Sequence, residues 1–100
     1  IINVPGTFEI PVVISNLITK YDAFVVLGCV IKGKTPHFDY LCSSVFNSLI
    51  NISVQSKKPI GNGILTCNNK KQAILRADPN KKNKGGDAAT AIISLLDIIN

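Results

Sequence analysis

A chain of 100 residues holds one domain with one core, and its 46% hydrophobic content with mean hydropathy +0.29 leaves an apolar surplus that predicts a subunit interface. The net charge of +5 comes from ten lysines and a single arginine with few aromatic residues. That balance argues against nucleic-acid binding and for anionic small molecules as partners. Three cysteines with no CxxC spacing and one histidine suggest neither a zinc site nor a disulfide framework, and suit a reducing cytoplasm.

In chain order, Ile1–Val4 is a short apolar run closed by Pro5-Gly6, which reads as the end of a strand and a tight turn. It carries neither a charged leader nor a small-residue cleavage site, so no signal peptide is expected. A helix follows from about Thr7-Phe8, with Ile10, Val13, Ile14, Leu17 and Ile18 on one stripe and Pro11 tolerated near the first turn. Glu9 then lies at a helix N-terminus, where a carboxylate meets the helix dipole favourably.

After Lys20–Asp22 comes Ala23–Ile31 (AFVVLGCVI), with no polar alternation. This predicts a strand buried on both faces of a parallel sheet covered by helices. It is also the longest apolar run, about half of the roughly 18 residues a membrane span needs. The chain turns at Lys32–Lys34, and Thr35-Pro36 supplies an N-cap hydroxyl and a proline for the first helical position. Phe38, Leu41, Cys42, Val45, Leu49 and Ile52 set a helical stripe to about Gln55, stopped by Lys57-Lys58-Pro59.

Ile60–Thr66 (IGNGILT) reads as a third, glycine-rich strand. Asn68 or Asn69 caps a short helix, with Gln72 as the reciprocal partner of a capping box from Asn69 and Arg76 in the last turn. Asp78-Pro79-Asn80 forms a turn, and KKNKGG leads into a final helix whose stripe is Ala88, Ala91, Ile92, Leu95 and Ile99. The whole is one α/β domain over residues 1–100.

Ligands in such open sheets sit beyond the carboxyl ends of the strands, which gathers Gly6–Glu9, Cys29–His37 and Thr66–Asn68 on one edge. Gly28–Thr35 also satisfies G-x-x-x-x-G-K-[ST], the pattern of a phosphate-cradling loop. Val30 and Ile31 are better suited to prolonging a strand than to wrapping phosphates, Pro36 removes an amide donor, and no later strand ends in a magnesium-holding aspartate. A nucleoside triphosphatase is therefore not expected. What remains is a helix N-terminus with Thr35 and nearby lysines, a good phosphate site, with His37 in the first turn and able to move protons there.

The chain resembles the lumazine synthase family of riboflavin biosynthesis. The matching blocks are Val4–Pro11 (VPGTFEIP), Lys20–Ala23 (KYDA), Leu27–Tyr40 (LGCVIKGKTPHFDY), Gly63–Thr66 (GILT), Gln72–Ala77 (QAILRA) and Asn83–Ala89 (NKGGDAA). They keep the family's order and spacing over nearly the whole chain. The resemblance implies a flavodoxin-like three-layer α/β sandwich with a parallel sheet. It also implies the condensation of 5-amino-6-(ribitylamino)uracil with 3,4-dihydroxy-2-butanone 4-phosphate, without a metal or organic cofactor. On the same basis Thr7, Phe8, Glu9, Cys29, Val30 and Ile31 hold the uracil and ribityl parts, joined by Asn62. Lys34 and Thr35 take the phosphate, His37 transfers protons, and Arg76 reaches the phosphate from a neighbouring subunit with Lys84 nearby.

Family members usually carry arginine at position 32, a small residue at 34, an aromatic at 62 and glycine at 78, where this chain has Lys32, Lys34, Asn62 and Asp78. The chain also starts where the family's second strand ends, so the family's first strand and helix are expected on a longer product or a second chain. A homopentamer or larger shell follows from sites shared between neighbours. Nucleic acid and membrane are not expected as partners. The alternative is a non-catalytic flavin- or lumazine-binding scaffold of the same fold, for which Asn62 is the best argument.

Overall fold

The computed structural model describes residues 1–99. A 3-10 turn, Thr7–Glu9, runs directly into α1 (Ile10–Leu17) with Pro11 inside the first turn, where a missing N–H costs nothing. Strand β1 (Phe24–Ile31) follows, then α2 (His37–Ser56), β2 (Ile60–Cys67), α3 (Lys70–Ala77) and α4 (Lys84–Ile99). The two strands are parallel, in register from Phe24 opposite Ile60 to Ile31 opposite Cys67.

Three layers result, as the sandwich reading predicts. On one face of the sheet Val26 and Ile64 pack with Ile10 and Ile14 of α1 and Val45 and Leu49 of α2. The other face of β2 belongs to α4, which approaches so closely that only glycine fits beneath it. A Cβ on Gly61 would stand 2.5 Å from the Ala88 carbonyl oxygen and 2.8 Å from Ile92 Cγ1. Gly61→Ala is therefore expected to cost about 1–3 kcal/mol by forcing α4 off the sheet. Gly33→Ala, with nothing within 4 Å of its Cβ, leaves stability nearly unchanged. Urea denaturation of the full chain checks the pair, and equal midpoints would refute the close approach.

Capping follows the sequence closely. One cap departs from expectation: Pro36, not Thr35, is the N-cap residue of α2, the helix begins at His37 rather than at the proline, and Thr35 Oγ1 only accepts the His37 amide in a long 3.4 Å contact from outside the helix. Lys57 ends α2 in the left-handed region at φ 63°. Asn69 Oδ1 accepts the Gln72 amide at 2.9 Å, while Gln72 Oε1 accepts the Asn68 amide at 2.8 Å. The capping box thus closes on the residue before the cap. Asn83, at φ 47°, caps α4 by accepting the Gly86 amide at its side chain (3.2 Å) and the Asp87 amide at its carbonyl (3.1 Å).

Three expectations are corrected. Ile1–Val4 is not a strand: among the described residues no backbone ladder partners it or the outer edge of β1, and the two form walls of one groove. Strand β1 is not buried on both faces, since Val26 is 5% exposed but Leu27 is 63% exposed. The cause is the same in each case: the sheet has two strands among the described residues, and α4 sits mainly over β2. On α4 the covered positions are Ala88 and Ile92, with Leu96 half-buried, whereas Ala91, Leu95 and Ile99 are exposed because the helix overhangs this narrow sheet.

Candidate functional site

The strand ends do what the sequence requires of them. Strand β1 continues through Ile31, and Lys32 N–H then donates to the Cys67 carbonyl at 2.8 Å. Val30 and Ile31 are therefore ladder residues and do not wrap a phosphate, as their β-branching predicts. Lys34 and Thr35 lie exposed in the turn before α2, and His37 is the first residue of that helix. The first amides of a 20-residue helix, a hydroxyl, a lysine and an imidazole are thus presented together at the carboxyl end of β1. The His37 ring is exposed and makes no hydrogen bond among the described residues.

Thr7 stands against β1 itself. Its hydroxyl oxygen would lie 3.3 Å from a Cβ on Gly28, so the glycine leaves the space that Thr7 occupies. Phe8 is exposed, while Glu9 folds back over Gly6, 3.7 Å from where a Cβ would stand. Glu9 Oε2 is buried without a hydrogen-bond partner among the described residues. A carboxylate oxygen out of water is costly to leave unpaired, which makes it a ready acceptor for a donor brought by a ligand.

Cys29 is exposed as a residue, yet local burial, then the charge of and hydrogen bond to Cys67, raise its thiol pKa above the ordinary value. Cys42, inside the core face of α2, is raised by burial and then by Asp39. At neutral pH both are therefore thiols, with less thiolate than an unperturbed cysteine.

A second group lies on the outer side of β2. Asn62, Thr66, Gln72, Arg76, Lys82, Lys84 and Asp87 line a groove of about 780 Å³. Asn62 Oδ1 accepts the Ile64 amide at 3.0 Å, satisfying a donor of the strand's open edge. Arg76 Nη1 donates to the Thr66 carbonyl at 2.8 Å and to Cys67 Sγ at 3.6 Å. Lys84 Nζ stands 3.7 Å from Asp87 Oδ2 on the helix surface.

The candidate residues therefore fall into two sets. Cys29, Lys34, Thr35 and His37 follow one another around the end of β1, with Thr7 beside Gly28 of the same strand and Glu9 over Gly6, and Thr7 and Cys29 border the groove beside Ile1–Val4, of about 540 Å³. Asn62, Arg76 and Lys84 face the other groove and are not brought to His37 within one chain. Sequence reasoning missed the engagement of Arg76 by Cys67, for which the residue types give no signal. It also missed Lys82 in the second groove. Among the described residues no cluster of three or more metal-ligating side chains occurs, and no helix is long and apolar enough to cross a membrane.

Parallel strands between layers of helices, with a helix start and a histidine at the end of β1, define the class: an α/β sandwich whose carboxyl edge carries the candidate site. The family model described as 6,7-dimethyl-8-ribityllumazine synthase matches residues 1–100, and the chain belongs to that family. It is 48% identical over 95 residues to a 6,7-dimethyl-8-ribityllumazine synthase of Corynebacterium kroppenstedtii, covering 93% of this chain and 60% of the relative. It is 43% identical over 102 residues to the protein of that name from Cutibacterium acnes (100% and 61%). The counterpart from Mycobacterium leprae is 46% identical over 96 residues (94% and 60%). The chain spans about 60% of the length of these curated relatives.

Proposed function

We propose that the protein carrying this chain condenses 5-amino-6-(ribitylamino)uracil with 3,4-dihydroxy-2-butanone 4-phosphate to give 6,7-dimethyl-8-ribityllumazine and phosphate. The observation that carries the reading is the meeting of Thr35, the α2 amides and His37 at the end of β1, in a chain that matches the family from end to end.

The uracil's 5-amino group adds to the ketone carbonyl and loses water, forming an imine. Loss of a proton from the carbon beside it expels phosphate, and the resulting enol returns to a ketone. The ribityl-bearing nitrogen then closes the ring with loss of a second water. His37 is the proton carrier within this sequence, placed beside the anion that leaves. Thr35, Lys34 and the helix start hold the phosphate, with the dipole favouring its charge. Glu9 accepts hydrogen bonds from ribityl hydroxyls, which gives its unpaired oxygen a partner. Thr7, Phe8 and Cys29–Ile31 form the wall against the heterocycle. Much of the acceleration comes from holding two reactive molecules together.

The second set of residues serves the site of a neighbouring copy, with Arg76 on the phosphate, Lys84 near it and Asn62 over the heterocycle. A homopentamer or larger shell in the cytoplasm is the assembly proposed. It is supported by the separation of the two sets and by exposed apolar side chains such as Tyr40 and Val54 on α2 and Ile93 and Ile98 on α4.

The full protein, incubated with both substrates, is expected to produce the lumazine's absorbance faster than the spontaneous condensation. No rate above the spontaneous one, with product still bound, would overturn catalysis in favour of a binding scaffold.

A further inference from the structure

Arg76 is held at one end before any ligand arrives. It leaves the last turn of α3 and returns to the last two residues of β2, where Nη1 donates both to the Thr66 carbonyl (2.8 Å) and to Cys67 Sγ (3.6 Å). Cys67 is 1% exposed, so its sulfur is a fixed point in the core. A guanidinium has five N–H donors in a planar fork. With Nη1 occupied, the Nε and Nη2 edge makes no hydrogen bond among the described residues, and that edge is the one that grips an oxyanion with two parallel bonds. Arg76 also lines the groove that holds Lys82 and Lys84.

We propose that Cys67 is a positioning residue. By accepting from Nη1 it fixes the rotamer of Arg76 so that the free edge faces the phosphorylated substrate. An N–H to sulfur contact is weak in itself, and its effect comes from removing freedom that a long arginine side chain would otherwise lose on binding. The Thr66 carbonyl is backbone and cannot be deleted, which leaves the sulfur as the changeable half of the anchor. The inference rests on the reading of Arg76 as the phosphate residue of the proposed function.

The test uses the full protein with Cys67→Ala, Cys67→Ser and, as a control for losing a buried thiol elsewhere, Cys42→Ala. Cys67→Ala is expected to raise the KM for the phosphorylated ketone about 3- to 10-fold, leaving kcat and the KM for the aminouracil within about twofold. Cys67→Ser keeps an acceptor and restores most of that loss, and Cys42→Ala changes neither KM. Should the alanine variant fold poorly, Cys67→Val fills the space without an acceptor and is expected to behave as alanine does. Titration with inorganic phosphate reads the same effect without turnover, as a parallel rise in Kd.

Unchanged phosphate affinity in Cys67→Ala, equal rises in both KM values, or serine as impaired as alanine would each overturn the inference. Phosphate binding that weakens in Cys67→Ala, in a protein without turnover, would sustain it while sinking the proposed reaction.

Discussion

Arg76→Ala is expected to raise the KM for the phosphorylated ketone by about 10- to 100-fold, the range spanned when hydrogen bonds to a charged group worth about 1.5–3 kcal/mol are lost. It is the chain's only arginine, and lysines nearby supply charge without a fork. Arg76→Lys should therefore recover part of the affinity and not all of it. The KM for the aminouracil, which carries no phosphate, should hardly move. Initial rates with each substrate varied in turn check this, and a normal KM for the phosphorylated ketone in Arg76→Ala would remove Arg76 from the site.

His37→Ala is expected to act on the other constant. Its kcat should fall about 10- to 100-fold, at or below the low end of general acid–base effects, because approximation of the substrates persists in the variant. The proposed phosphate site is made of backbone and Thr35, so the KM for the phosphorylated ketone should change far less. In the protein the amide of His37 is tied to Thr35 Oγ1 while its ring is exposed and without partners among the described residues. That leaves the ring free to follow a proton through several steps. Single-turnover rates at saturating substrates make the comparison, and wild-type kcat in His37→Ala would end its role as proton carrier.

The parts of the fold governed by local periodicity and caps were legible. The stripe from Phe38 to Ile52 gave α2 nearly its observed length, and Asn69 with Gln72 announced α3. The apolar run before Lys32 also decided between a strand and a phosphate loop, because Val30 and Ile31 favour a ladder. What periodicity could not supply was the width of the sheet. An unbroken run such as Ala23–Ile31 says that both faces are apolar, and only the tertiary structure says whether anything covers them. Leu27 and Leu95 are exposed for that reason.

At the candidate site, residues contiguous in sequence, Cys29 to His37, stand around one strand end. Thr7 lies beside Gly28, within the strand rather than beyond its end. The link from Cys67 to Arg76 escaped because it depends on where a long side chain turns after α3. Neither residue's type announces the other. Asn83 escaped likewise, since a left-handed cap by asparagine amid lysines and glycines looks like an ordinary loop.

The parallel register bears on how the chain reaches its native state. Phe24 finds Ile60 across 35 intervening positions, so the ladder closes a long loop before any of its hydrogen bonds form. Helix α2 shortens that search. Twenty residues at 1.5 Å each make a rod of about 30 Å, close to the roughly 26 Å of an eight-residue strand. Once wound, the helix delivers β2 to the starting end of β1 with the offset already set. Formation of the sheet is thereby converted from a chance encounter of two extended segments into the docking of a preformed hairpin-like unit. Folding speed should depend on α2 more than on either strand.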